Sequence, residues 1–110
     1  MSIMTDTQSI AANTTIANVL AGKSKEFLME PSVMTLSATG SAAGLMATLI
    51  VGEEIVMDDQ DIGPGNRFPL IPDDVLTTAG GFTGDRIIVR MRNRTAGALT
   101  SWVRVDIDPA

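Results

Sequence analysis

The 110-residue chain contains no histidine, no cysteine and no tyrosine. Without His or Cys it cannot build a Ser-His or Cys-His nucleophile pair. It cannot build a zinc site of the usual His/Cys kind, and it has no disulfide. Aromatics are confined to Phe27, Phe68, Phe82 and Trp102. The core must therefore rest on Ile, Val, Leu, Met and Ala, which gain less area per residue than aromatic side chains. Eight basic residues stand against thirteen acidic ones, for a net charge of −5. That balance argues against nucleic acid as a partner, which needs a net or local positive field. The longest apolar run, residues 44–52, is too short to cross a membrane as a helix, so no membrane partner is expected. The N-terminus shows no basic segment followed by an apolar stretch, so no signal peptide is evident.

What is present is a chain with 45% hydrophobic residues, long enough for a single domain. Domains of this size are marginal alone and often take extra burial from partner subunits. Residues 1–22 are polar, with Ile3, Ile10, Ile16, Val19 and Leu20 irregularly spaced. They read as an extended N-terminal arm that adds to a neighbouring subunit's sheet edge. Residues 23–110 read as one β-sandwich domain. Within it, residues 25–29 are a short strand candidate. Residues 32–39 alternate, with Met34, Leu36 and Ala38 on one face. Residues 45–51 are apolar on both faces and suit a doubly covered strand, and residues 53–57 suit its hairpin partner. Residues 58–72 look irregular, and 72–76 suit one helical turn, with Pro72 first and Asp73 and Asp74 at its N-terminal end. Gly80-Gly81 and Gly84-Asp85 read as turns. Met34, Met46, Met57 and Met91 are core candidates. About seven or eight short strands with regular turn signals imply an all-β, antiparallel β-sandwich, jelly-roll-like.

The clearest strands are residues 86–93 and 100–108. With Ala96-Gly97-Ala98 between them they read as an antiparallel hairpin. Alternation puts Ile87, Val89, Met91, Val103, Val105 and Ile107 inward. It puts Arg86, Ile88, Arg90, Arg92 and Arg94, with Trp102 and Arg104, outward. A turn centred on Gly97 sets Arg92 opposite Trp102, for a cation–π contact. It sets Arg86 opposite Asp108 as an ion pair, and Arg90 opposite Arg104 as a like-charge pair. Five of the six arginines fall on this one hairpin. Arg tolerates desolvation and forks onto oxyanions, and Arg with Trp is typical of interface hot spots. Arg90, Arg92, Arg94, Trp102 and Arg104, with Ile10 and Ile16 of the arm, are the candidate interface residues. A solvated outer face and a phosphate-contacting face are the competing readings.

Acidic residues concentrate elsewhere. Glu53, Glu54, Asp58, Asp59, Asp61, Asp73 and Asp74 are accompanied between 53 and 74 only by Arg67. One reading is head-to-tail complementarity, the acidic loop of one copy meeting the arginines of the next. Another is solubility alone. A calcium reading of Asp58, Asp59 and Asp61 competes, although the spacing lacks the glycine and glutamate of an EF-hand loop. Gly63-Pro64-Gly65-Asn66 is a turn and not a phosphate loop, since no Gly-Lys-Ser/Thr follows. The acids lie in loops with few aromatics to stack on a sugar, which argues against a glycosidase. The expectation is a non-enzyme with no cofactor, no metal and no small-molecule substrate.

Three stretches carry a resemblance: Ile10-Ala-Ala-Asn-Thr-Thr-Ile-Ala-Asn-Val-Leu-Ala-Gly22, Asn66-Arg-Phe-Pro-Leu-Ile-Pro-Asp-Asp-Val-Leu76 and Gly84-Asp-Arg-Ile-Ile-Val-Arg-Met-Arg-Asn93. In this layout the chain resembles small β-sandwich or jelly-roll virion proteins of bacterial viruses, capsid-forming or capsid-decorating. The resemblance implies a shell-associated structural subunit that is a homo-oligomer or joins other virion proteins. It implies location in the virion after synthesis in a host cytoplasm, and it brings no catalytic residues. The alternative from another class is a carbohydrate- or ligand-binding β-sandwich module, which wants exposed aromatic platforms.

Overall fold

The computed structural model describes residues 2–23, 26–65, 67–69 and 74–109. Eight strands are present among them: β1 (Ser2–Ile10), β2 (Thr15–Ile16), β3 (Ser32–Gly40), β4 (Leu45–Val51), β5 (Glu54–Asp61), β6 (Val75–Gly81), β7 (Ile87–Asn93) and β8 (Leu99–Pro109). They form two four-stranded antiparallel sheets, in the orders β1-β8-β3-β6 and β2-β7-β4-β5. The hydrogen-bonded pairs include β1 with β8, β2 with β7, β3 with β6 and β4 with β5. The chain is thus one long hairpin, folded at the β4–β5 turn and rolled into two sheets. That is a jelly-roll strand order, and the all-β antiparallel sandwich is the class expected from the sequence.

Alternation accounts for most strands. On β3, Met34, Leu36 and Ala38 face the core while Val33 faces solvent. β7 buries Ile87, Val89 and Met91, and β8 buries Val103, Val105 and Ile107. The buried hydrophobic cluster between the sheets consists of Leu, Ile, Val, Met and Ala, with no aromatic side chain among the described residues. Phe27, Phe68 and Phe82 are exposed and Trp102 is half-buried on an outer face. Met34 and Met91 are core and Met57 packs against it, whereas Met46 points outward.

Several expectations are corrected. The expected arm, residues 1–22, is not separate from the sandwich over its described part, 2–22. β1 pairs with β8 over nine consecutive residues, and Met4, Ile10, Val19 and Leu20 are buried in the core. The apolar residues that look irregular along the chain serve two sheets and the connection between them, so no single period describes them. The helical turn at 72–76 lies partly outside the described residues, and Val75 and Leu76 open β6. Gly80 and Gly81 belong to β6 instead of forming a turn. A Cβ on Gly81 would stand 2.5 Å from Leu28 Cδ1 and 2.9 Å from Val51 Cγ1. This glycine marks a close approach to the core. Asp58–Asp61, read as irregular, extends β5, where two register shifts against β4 absorb the irregularity. Of the strand proposed at 25–29, Phe27 makes one isolated bridge, to Arg86.

The largest correction concerns the last two strands. β7 and β8 do not form a hairpin, because they belong to different sheets. The connection after Asn93 crosses the end of the sandwich. Asn93, 1% exposed, shapes that crossing. Its Nδ2 donates to the carbonyls of Ile10 (3.0 Å) and Gly97 (2.9 Å), and its Oδ1 accepts from the Thr95 N–H (2.9 Å) and hydroxyl (2.8 Å).

Candidate interface

The outer face of the β2-β7-β4-β5 sheet is laid out in rows across the strands. Gly52, with φ +63, closes the β4–β5 turn, so that Ile50 stands opposite Ile55 on one side and opposite Ile88 on the other. The outcome is an aliphatic row, Ile88–Ile50–Ile55, in which Ile55 is 58% exposed. Phe27 borders it, bridged to Arg86 and 53% exposed, with the Arg86 guanidinium 5.9 Å from the ring centre.

The next rows are charged. Arg90 stands opposite Thr48, and Arg92 lies between Thr15 and Met46. The arginines reach across β4 to the acids of β5: Arg90 Nη2 to Asp58 Oδ1 at 3.6 Å, Arg92 Nη2 to Asp59 Oδ2 at 3.1 Å. Thr48 beneath them is fully buried although it faces outward. Its hydroxyl accepts from the Asp59 N–H at 2.9 Å and donates to Asp58 Oδ1 at 3.3 Å. A basic column on β7 therefore runs parallel to an acidic column on β5. Each pair is partly exposed and contributes about 0–1 kcal/mol by itself.

A buried carboxylate anchors the border near Phe27. Glu26 accepts from the Gly22 N–H at 3.0 Å and from Arg86 Nε at 2.5 Å. These two partners hold its carboxyl below the ordinary value of 4.5, against the upward push of burial.

The candidate residues separate. Arg90, Arg92 and Arg94 lie on this face or at its end. Trp102 and Arg104 lie on the outer face of the other sheet, Trp102 between Thr7 and Thr39 and Arg104 between Thr5 and Ser37. The joint Arg/Trp hairpin face does not exist, and neither does its Arg92–Trp102 contact. The feared Arg90–Arg104 clash is absent for the same reason. Arg104 instead pairs with Asp106 at 2.7 Å, and Arg86 with Glu26 in place of Asp108. Ile10 is 1% exposed and Ile16 packs against the core, so neither is available as an arm contact. The expected head-to-tail meeting of acidic loop and arginines is met within one chain by Asp58 and Asp59. Those two carboxylates are occupied by arginines. Among the described residues no group of three acidic side chains is placed to hold a metal, and no helix is long and apolar enough to cross a membrane. The aliphatic row escaped sequence reading, since Ile50, Ile55 and Ile88 are brought together only by pairing. The signal for it was present in Gly52, the turn that folds Ile55 back onto Ile50.

No protein-family model, no curated protein and no solved structure matches the chain.

Proposed function

We propose that this chain is a non-enzymatic assembly subunit of a virus particle that associates with further copies of itself through the outer face of the β2-β7-β4-β5 sheet. The carrying observation is the self-complementarity of that face: an aliphatic row in which Ile88 and Ile50 are half-buried and Ile55 is exposed, beside parallel basic and acidic columns. A two-fold axis parallel to β4 in the plane of contact lays each aliphatic row on its copy. The same axis sets Arg90 and Arg92 of one subunit over Asp58 and Asp59 of the other. That is an isologous contact, apolar in part and charge-matched in part. Two sheets stacked face to face in this way follow ordinary aligned packing, about 10 Å apart. The jelly roll is a recurrent capsid architecture, which supports the virion reading together with the resemblance noted from sequence. A fold by itself does not fix a function.

The test is the solution mass of the full chain by light scattering, against Ile55→Asp. Ile55 is exposed, so the substitution leaves the core intact. The wild type is expected to be a dimer or larger, and Ile55→Asp a monomer with an unchanged circular dichroism spectrum. Raised salt should weaken the association in part, by screening the charge-matched columns. A wild type that is monomeric at every concentration, or an Ile55→Asp variant that associates as the wild type does, overturns the reading.

A further inference from the structure

Arg92 and Arg94 are two residues apart at the end of β7, and both reach the same atom. Arg92 Nη2 lies 3.3 Å from Met46 Sδ and Arg94 Nη1 lies 3.5 Å from it, so the two guanidinium groups approach within about 7 Å. A thioether is a weak acceptor, and guanidinium groups make their strong bonds to oxyanions. Arg92 is balanced by Asp59 at 3.1 Å. Arg67, Arg86, Arg90 and Arg104 each have a carboxylate within 4 Å. Arg94 is the only arginine without one among the described residues. The Nε of Arg92 is buried and makes no hydrogen bond.

These side chains line an open polar cleft of about 260 Å³ together with Asn13, Thr15 and Asn93. That volume is several times the ~30 Å³ share of one water, room for a polyatomic ion. Asn93 is wall, its amide being spent on Ile10, Gly97 and Thr95. The Thr15 hydroxyl and the Asn13 amide make no hydrogen bond within the described residues. Asn13 is fixed in place, with φ +52 and its N–H donating to the Thr95 carbonyl at 3.1 Å.

We infer that the cleft is an oxyanion site that takes a phosphate group, held by the guanidinium groups of Arg92 and Arg94, with Thr15 and Asn13 as further donors. The donors come from β2, from β7 and from the turns beside them. A tetrahedral group accepts from that many directions better than a planar carboxylate does. The chain's net charge of −5 opposes general anion binding, so binding here is local to the site.

The experiment is a titration of the full chain followed by the Arg Nε–H resonances. The titrants are inorganic phosphate, ribose 5-phosphate, acetate and sodium chloride at matched ionic strength. The expected result is saturable shifts of Arg92 and Arg94 with phosphate or its ester at millimolar concentration, with affinity lowered about tenfold or more in Arg94→Gln and unchanged in Arg104→Gln. Tighter binding of the ester than of the free ion would identify the group as one presented on a larger molecule, whereas equal binding would identify the free ion. Equal responses to chloride reduce the effect to screening and overturn the site. Equal responses to acetate overturn the phosphate assignment, and undiminished binding in Arg94→Gln overturns the role of Arg94. Solution mass in the same buffers keeps failure of ion binding distinct from failure of self-association.

Discussion

Asn93 on β7 donates its side-chain N–H to the backbone carbonyl of Ile10, 83 positions earlier, at 3.0 Å. The bond ties the end of β1 in one sheet to the end of β7 in the other. The same side chain fixes Thr95 and Gly97 in the crossing to β8. Removing it takes this donor from the buried Ile10 carbonyl and the acceptor from the half-buried Thr95 N–H, while the exposed Gly97 carbonyl keeps the Thr95 hydroxyl; each buried loss costs about 1–3 kcal/mol. Asn93→Ala is therefore expected to lose about 2–4 kcal/mol in urea unfolding monitored by circular dichroism. A loss under 1 kcal/mol would mean that the crossing holds its shape without this amide.

Glu26 makes stability depend on acid. Its folded-state value lies below 4.5 because Gly22 and Arg86 favour the carboxylate. Such a group contributes stability that is present above its unfolded value and is lost as pH falls through the folded one. The wild type should exceed Glu26→Gln in stability at pH 7, and the gap should narrow below about pH 4.5. Unfolding curves of both proteins between pH 7 and pH 3 check this. A gap that stays constant across that range would assign the effect to shape and not to charge.

Two glycines predict opposite outcomes. A Cβ on Gly81 would meet Leu28 at 2.5 Å, Val51 at 2.9 Å and Met34 at 3.1 Å, all core side chains. Gly81→Ala should overpack the core and cost about 1–3 kcal/mol. Around Gly97 nothing lies within 4 Å of a Cβ. Gly97→Ala should cost nothing and could gain up to about 1 kcal/mol by restricting the unfolded chain. Melting temperatures that rank the two variants the other way would contradict the packing described for β6.

The strands themselves are legible in the sequence because alternation is a local property. Met34, Leu36 and Ala38 declare β3, and Ile87, Val89 and Met91 declare β7, with no knowledge of their neighbours. Pairing is not local. Ala96-Gly97-Ala98 looks like a hairpin turn, yet the roll sends β8 between β1 and β3, where two strands cover it instead of one. The same limit reaches the site. Alternation alone sets Arg90 and Arg92 outward beside Ile88, and the structure has them there. Only a β7–β8 hairpin would join Trp102 and Arg104 to them, and that pairing does not form. Ile10 shows the same limit from the other direction: it stands between Ser9 and the small Ala11 with no apolar alternation around it, and only the fold reveals that it is core.

Trp102 can decide which outer face copies of this chain share. It is the sole tryptophan, and it stands half-buried between Thr7 and Thr39 on the outer face of the β1-β8-β3-β6 sheet. Contact through the opposite sheet leaves its surroundings unchanged. Diluting the associated protein to the monomer should therefore leave the Trp102 emission maximum and its quenching by acrylamide where they were. Placing the probe on the proposed contact reverses the expectation. Ile55→Trp combined with Trp102→Phe should show emission that moves to longer wavelength on dissociation, as a buried indole returns to water. A shift of the native Trp102 signal on dilution would put the β1-β8-β3-β6 face in the contact and remove the case for the aliphatic row. Pairing both signals with the mass of each sample separates a silent probe from a protein that has not dissociated.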